Sequence, residues 1–131
     1  MDDRVRQLIE ADVHTVVGLD VVLFFQENPG TFDTVEGVAL RTHRGVNEVR
    51  PAVERLADRG LLERYQRGEG RYICYALSPG PEVWNLLCLL SEAYLDDVES
   101  RKEIVRMLVR KQKENRLSTA EGRSAGEGDD L

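Results

Sequence analysis

Apolar positions along this chain recur at helical spacing from its start. Val5, Leu8, Ile9, Val13, Val16 and Val17 step mostly by threes and fours, which predicts a helix over residues 3–16. Gly18 is a natural stop for it, and Asp20 a natural cap for the next helix, over about 20–28, which carries the run Val21-Val22-Leu23-Phe24-Phe25. Asn28-Pro29-Gly30 breaks that helix, and Thr31-Phe32 leave room for a short strand only. Asp33-Thr34-Val35-Glu36 has the form of a capping box with Asp33 as cap. It opens a short helix through Val38, Ala39 and Leu40 to about Thr42, followed by a turn at His43-Arg44-Gly45.

A fourth helix is expected from about 46 to 59, with Val49, Ala52, Val53 and Leu56 as its inner stripe and Gly60 at its end. Pro51 requires that this helix begin nearer Asn47 or bend at its start, because proline removes a backbone donor. The pattern then changes period. Leu61–Gln66 and Arg71–Leu77 read as two strands joined through Arg67-Gly68-Glu69-Gly70, a hairpin turn. After Ser78-Pro79-Gly80-Pro81, residues 82–117 contain neither Gly nor Pro. They read as one long helix, or as two meeting near Asp97 to Ser100, where Ser100-Arg101-Lys102-Glu103 offers a second capping box. Beyond Ser118 the composition is small and polar, and a disordered tail is expected over 118–131.

The chain therefore divides into an N-terminal helix (1–18), a helical unit with a hairpin (19–78), a C-terminal helical region (79–117) and a tail (118–131). At 131 residues, 41% apolar and 32% charged, it has the size and composition of one folded domain. Its longest apolar runs are far shorter than the ~20 residues of a membrane span, and its acidic start lacks the apolar core of a secretory leader. No membrane partner is expected, and the cytoplasm is the expected location. Cys74 and Cys88 have no metal-type spacing and read as buried thiols, with a redox role left open.

Charge changes this picture. The net charge is −6, yet residues 41–75 carry 8 basic groups against 5 acidic ones, a local +3. Every one of those basic groups is Arg, whose planar fork suits phosphate and guanine edges. Other chemistry is thin. His14 and His43 stand apart from each other and from the cysteines, so no metal site is expected. Asp96 and Asp97 diverge on a helix, and no nucleophile, base and orienting group can be assembled, so no enzyme and no cofactor is expected. The glycines near Arg67 lie within a hairpin rather than between a strand and a helix, which does not make a phosphate loop.

The order helix, short strand, helix, turn, helix, hairpin over about residues 19–78 resembles the winged helix-turn-helix of MarR, ArsR and PadR type bacterial transcriptional regulators. The segment VRPAVERLADRGLLERYQ carries the likeness most strongly: Val49, Ala52, Val53 and Leu56 as stripe, Asp58-Arg59-Gly60-Leu61-Leu62 as junction, and Arg64 opening the wing. Val38-Ala39 matches the Leu-Ala pair of the preceding helix. The fold so implied is mainly α with a small β-hairpin wing, an added N-terminal helix, and a long C-terminal helix or helix pair. The resemblance implies sequence-specific binding of double-stranded DNA. The helix at 46–59 would enter the major groove with Asn47 and Arg50 toward base edges, Arg41, His43 and Arg44 would flank it near phosphates, and Arg67 and Arg71 in the wing at 64–73 would meet backbone or minor groove.

Gly45 stands where such proteins usually carry a Ser, Thr or Asp cap, and Glu48 and Glu54 bring negative charge to the reading helix. A rival reading is therefore a winged-helix protein–protein module that binds no DNA, with Arg50, Arg55 and Arg59 pairing with Glu54, Asp58 and Glu63 on a solvated face. Val83, Leu87, Leu90 and Tyr94 step by 4, 3 and 4, which predicts a homodimer seam. Trp84, Leu87, Cys88 and Tyr94 are candidates for lining a pocket for a small-molecule effector of unspecified identity, with plain helix packing as the alternative.

Overall fold

The computed structural model describes the backbone of residues 1–130 and the side chains of residues 1–116. The expectation for the tail at 118–131 therefore falls outside the residues whose side chains are described.

The first helix departs from its expected span. Asp2 caps a short α1, Asp3–Gln7, after which Leu8–Val13 form a π-helix, closed by His14 N–H donating to the Ile9 carbonyl at 2.9 Å. This π-helical strap places Leu8, Ile9 and Val13 in the core and ends at His14, which takes a left-handed φ of 67°. Val16 and Val17 belong instead to α2, Val16–Glu27, capped by Thr15 rather than Asp20. Gly18 does not end a helix. It donates to Thr15 Oγ1 at 2.8 Å in the first turn of α2, and a Cβ there would lie 2.4 Å from the Val13 carbonyl oxygen, so only glycine lets the strap's end approach so closely.

Thr34, not Asp33, caps α3, Val35–Thr42, by accepting from Gly37 N–H at 3.2 Å. His43 closes α3 in the left-handed region, and Gly45 starts α4, Val46–Asp58. Glu48 reaches back to Gly45 N–H at 3.1 Å, which compensates in part for a cap with no side chain. The helix begins at Val46, and Pro51 sits within it. Its stripe Val49, Ala52, Val53 and Leu56 is buried as expected, with α2 and α3 packed against it.

Strands β1 (Leu62–Arg67) and β2 (Tyr72–Leu77) pair antiparallel with Leu62 opposite Leu77 and Arg67 opposite Tyr72. In the turn, Gly68, Glu69 and Gly70 all have positive φ, and the Tyr72 ring lies where a Cβ on residue 68 would be. The short strand expected at Thr31-Phe32 is reduced to a single bridge: Asp33 exchanges both backbone hydrogen bonds with Tyr75 and so fastens the α2–α3 loop to the outer edge of β2.

The C-terminal region is two helices, α5 (Pro81–Leu95) and α6 (Val98–Asp130). The cap is Asp97 rather than Ser100. The Asp97 carboxylate accepts from the backbone N–H of Glu99 and Ser100 and from the buried Ser100 hydroxyl at 2.8 Å, which together hold it below the usual carboxylate range. The seam expected of a dimer is corrected here. Leu87 and Leu90 are fully buried in the chain's own core and Val83 and Tyr94 are half-buried, because α5 packs on α1, α2 and α6. Among the described residues, the large apolar side chains that α5 and α6 leave in solvent are Trp84, Leu95, Val98, Val105 and Val109. Among the described residues no helix is long and apolar enough to cross a membrane.

Two substitutions test this packing. Leu56→Ala empties a fully buried site on α4 and is expected to cost about 2–5 kcal/mol in urea unfolding. Gly18→Ala forces a methyl group into the Val13 carbonyl and is expected to cost roughly 1–3 kcal/mol, whereas glycine-to-alanine in an open helix would stabilise.

Candidate nucleic-acid interface

The arginines of residues 41–75 fall into two sets. Four are held by the chain itself. Arg55 donates from Nη2 to the Ala11 carbonyl at 2.6 Å, and Arg59 donates from Nε to Asp12 at 2.7 Å, so the C-terminal half of α4 is tied to the π-helical strap. Arg64 donates to the Glu54 carbonyl at 3.0 Å and to Asp58 at 2.9 Å, tying β1 to α4. Arg44, expected near phosphates, donates from Nε to Asp20 at 2.7 Å and lies 3.7 Å from Glu48. Its side chain is 24% exposed, and the charge is spent on fixing the turn to α2. Arg44, expected to flank a ligand near phosphates, is thus engaged within the chain.

The other set faces solvent. Arg41, His43, Asn47, Arg50, Arg67 and Arg71 are all exposed. Arg50 projects from α4 and donates to Glu36 of α3 at 3.2 Å; the Glu36 carboxyl sits below its usual range, first through its own backbone N–H and then through Arg50. Arg50 and Arg71 line one cleft of about 270 Å³ between α4 and the wing, together with Glu36, Glu54 and Tyr72. The pairings expected of a merely solvated face are replaced: Arg50 meets Glu36, Arg59 meets Asp12, and Arg55 meets a carbonyl.

Aromatic rings hold the remaining cations. The Arg67 guanidinium lies 4.9 Å from the centroid of Phe32 and 5.5 Å from that of Tyr65, and Phe32 and Tyr65 are themselves 5.3 Å apart. Arg41 lies 4.7 Å from the Phe24 centroid and lines a second cleft with Asn28, Pro29 and Phe32. Such contacts fix the direction of a guanidinium while leaving its N–H groups free to donate. Phe32, Tyr65, Tyr72 and Glu36 were not expected at this site from the sequence. Phe32 joins the site only because the Asp33–Tyr75 bridge brings its loop to the sheet, a contact between residues 42 positions apart that no local pattern signals.

The four residues proposed to line an effector pocket do not form one wall: Leu87 is buried, Trp84 is exposed, and Tyr94 lines a shallow cleft with Asp20 and Phe24. A cleft of about 440 Å³ lies elsewhere, between Arg4, Gln7, Asp12, Arg59, Glu82 and Asn85. Cys74 is buried and Cys88 half-buried, and both are free thiols. Among the described residues no group of three His, Cys, Asp or Glu side chains is placed to hold a metal ion.

The role given to Arg44 is testable. Arg44→Ala is expected to lower stability by about 1 kcal/mol in urea unfolding, a modest loss because Asp20 remains partly in water. A loss of similar size from Asp20→Ala, with no further loss in the double variant, would show that the two act as one pair.

No family model matches this chain, and no curated protein matches it. Solved structures do. A possible transcriptional regulator from Methanosarcina mazei Go1 is 17% identical, with 77% of this chain and 85% of that chain covered at a TM-score of 0.53. A mutant of Lactococcus lactis ZitR is 11% identical, with 86% of this chain and 74% of that chain covered at the same TM-score of 0.53. At these identities the likeness is one of architecture, and with the helix order and hairpin described above it gives this chain a winged-helix fold of the kind found in transcriptional regulators.

Proposed function

We propose that this chain is a DNA-binding transcriptional regulator that acts in the cytoplasm as a homodimer. The observation that carries the reading is the cleft lined by Arg50 of α4 and Arg71 of the wing, both exposed, beside Arg41 and Arg67, which rest on aromatic rings with their charge in place. In this reading α4 enters the major groove, with Asn47 and Arg50 toward base edges, and Arg41, Arg67 and Arg71 meet phosphates on either side. Glu36 holds Arg50 toward the groove. Glu36 and Glu54 in the same cleft favour the second reading, a module that binds a basic protein partner instead of DNA.

The dimer is assigned to the faces that the monomer leaves open. Trp84 and Leu95 lie on one outward stripe of α5 beside the exposed acids Glu92 and Asp96. Val98, Val105 and Val109 lie on one outward stripe of α6 beside the exposed bases Lys102, Arg106 and Arg110. The apolar spacing matches and the charges are opposite, which suits α5 of one copy against α6 of another about a two-fold axis.

Duplex binding is measured against salt. Arg50→Ala is expected to weaken specific binding by about 1–3 kcal/mol and relax choice at one base position. Arg67→Ala and Arg71→Ala each weaken binding to every sequence and lower the slope of log K against log salt by about 0.9. Wild-type protein that binds no duplex even at low salt would leave the protein-partner reading in place. For the dimer, light scattering is expected to give twice the 14.9 kDa of one chain, and Val105→Glu to return it to one.

A further inference from the structure

The π-helical strap is gripped from two sides. From α4, Arg55 holds the Ala11 carbonyl and Arg59 holds Asp12. From α6, Lys111 sits 3.1 Å from Glu10, with only 13% of its side chain exposed, and the Asn115 amide lies 3.4 Å from His14 Nε2. The strap is therefore a connector between the helix proposed to read DNA and the long C-terminal helix. At its end His14 occupies a left-handed backbone position, its Nδ1 buried without a well-formed hydrogen bond but with the Glu10 backbone acting on the ring. Nε of Arg55 is buried and unpartnered as well. Two such atoms at a junction of three elements mark a place held together by its surroundings and sensitive to an added charge.

We propose that His14 is a proton-operated latch: neutral, it lets α4 and α6 close on the strap, and protonated, it places a third cation beside Arg55 and Lys111 and loosens both grips. The charged groups that act on the ring are Arg55 of α4, Lys111 of α6 and Glu10 of the strap. Burial lowers the proton affinity of the ring most, Arg55 next and Lys111 further, against an upward pull from Glu10. The sign follows. In the unfolded chain the ring takes its proton near pH 6.5, and in the folded chain only at lower pH. Between those values the unfolded state binds more protons. The stability His14 confers is thus fully present above about pH 6.5 and is lost as the pH falls through the folded value.

Hydrogen exchange followed between about pH 7.5 and 5.5, corrected for the intrinsic pH dependence of exchange, reads the latch directly. In the wild-type protein, amides of residues 8–14 and 104–115 are expected to exchange several-fold faster at the acid end than at the neutral end. His14→Asn keeps a residue that tolerates the left-handed position and cannot be protonated there, so its profile is expected to be flat. Lys111→Met removes one of the two cations and is expected to move the midpoint to higher pH. A flat wild-type profile, or the same acid response in His14→Asn, overturns the proposal. If His14→Asn does not fold, a midpoint unmoved by Lys111→Met overturns it equally. The measurement uses no duplex, so its outcome is separate from that of the DNA reading.

Discussion

The structure turns on how α4 is held. A thirteen-residue helix with a proline inside it and glycine as its cap has little intrinsic reason to stay in one place. Its buried stripe fixes which face turns inward, but a stripe alone lets a helix slide and tilt. The remaining freedom is removed by side chains longer than the stripe. Arg55 and Arg59 reach to the strap, and Arg64 reaches across from β1 to the carbonyl of Glu54. Each of these uses the length and the several donors of arginine, which a shorter polar residue could not supply. The wing's position follows from the same ties, since β1 is anchored to the helix whose outer face it flanks.

This division of labour explains how an acidic protein can carry exposed cations on one face. Net charge describes the far field, whereas recognition depends on which cations are left unneutralised at short range. Neighbouring carboxylates pair with Arg44, Arg50, Arg59 and Arg64 and a backbone carbonyl takes up Arg55, while Arg41 and Arg67 rest on aromatic rings that leave their charge in place. Counting arginines along the segment could not make this separation, because Asp12 and Asp20 lie far from it in sequence.

What the sequence made legible was what local chemistry decides. The stripe of α4, the breaker at Asn28-Pro29-Gly30, the hairpin and the turn at His43 all follow from period, proline, glycine and β-branching, and all stand within a residue or two of their expected places. Competition between neighbouring caps was harder: Thr34 rather than Asp33, Asp97 rather than Ser100, and Thr15 rather than Asp20 each won by geometry of the chain entering the helix. The π-helix was hidden, since Val5, Leu8, Ile9 and Val13 fit an α-helical period well enough. The seam on α5 failed for a different reason. Periodicity shows that a face is apolar and says nothing of what covers it, and here Leu87 and Leu90 are covered by the chain's own helices. Among the candidate contacts, the exposure of Arg41, His43, Asn47, Arg50, Arg67 and Arg71 follows from position, whereas the aromatic rings against Arg41 and Arg67 come from elsewhere in the chain.

The bridge between Asp33 and Tyr75 gives the hairpin a fulcrum. At Tyr75, β2 is clasped on both edges, by β1 and by the loop, and the buried Tyr75 ties it to the core. Beyond it the strand runs only three more residues to Tyr72, an overhang of about 10 Å at ordinary strand rise. The tip that bears Arg67 and Arg71 is thus a short overhang on a fixed pivot, steadied at Arg67 by its contact with Phe32 of the same loop. In the reading proposed above, an overhang of that length sets how far from α4 the wing can carry its two cations.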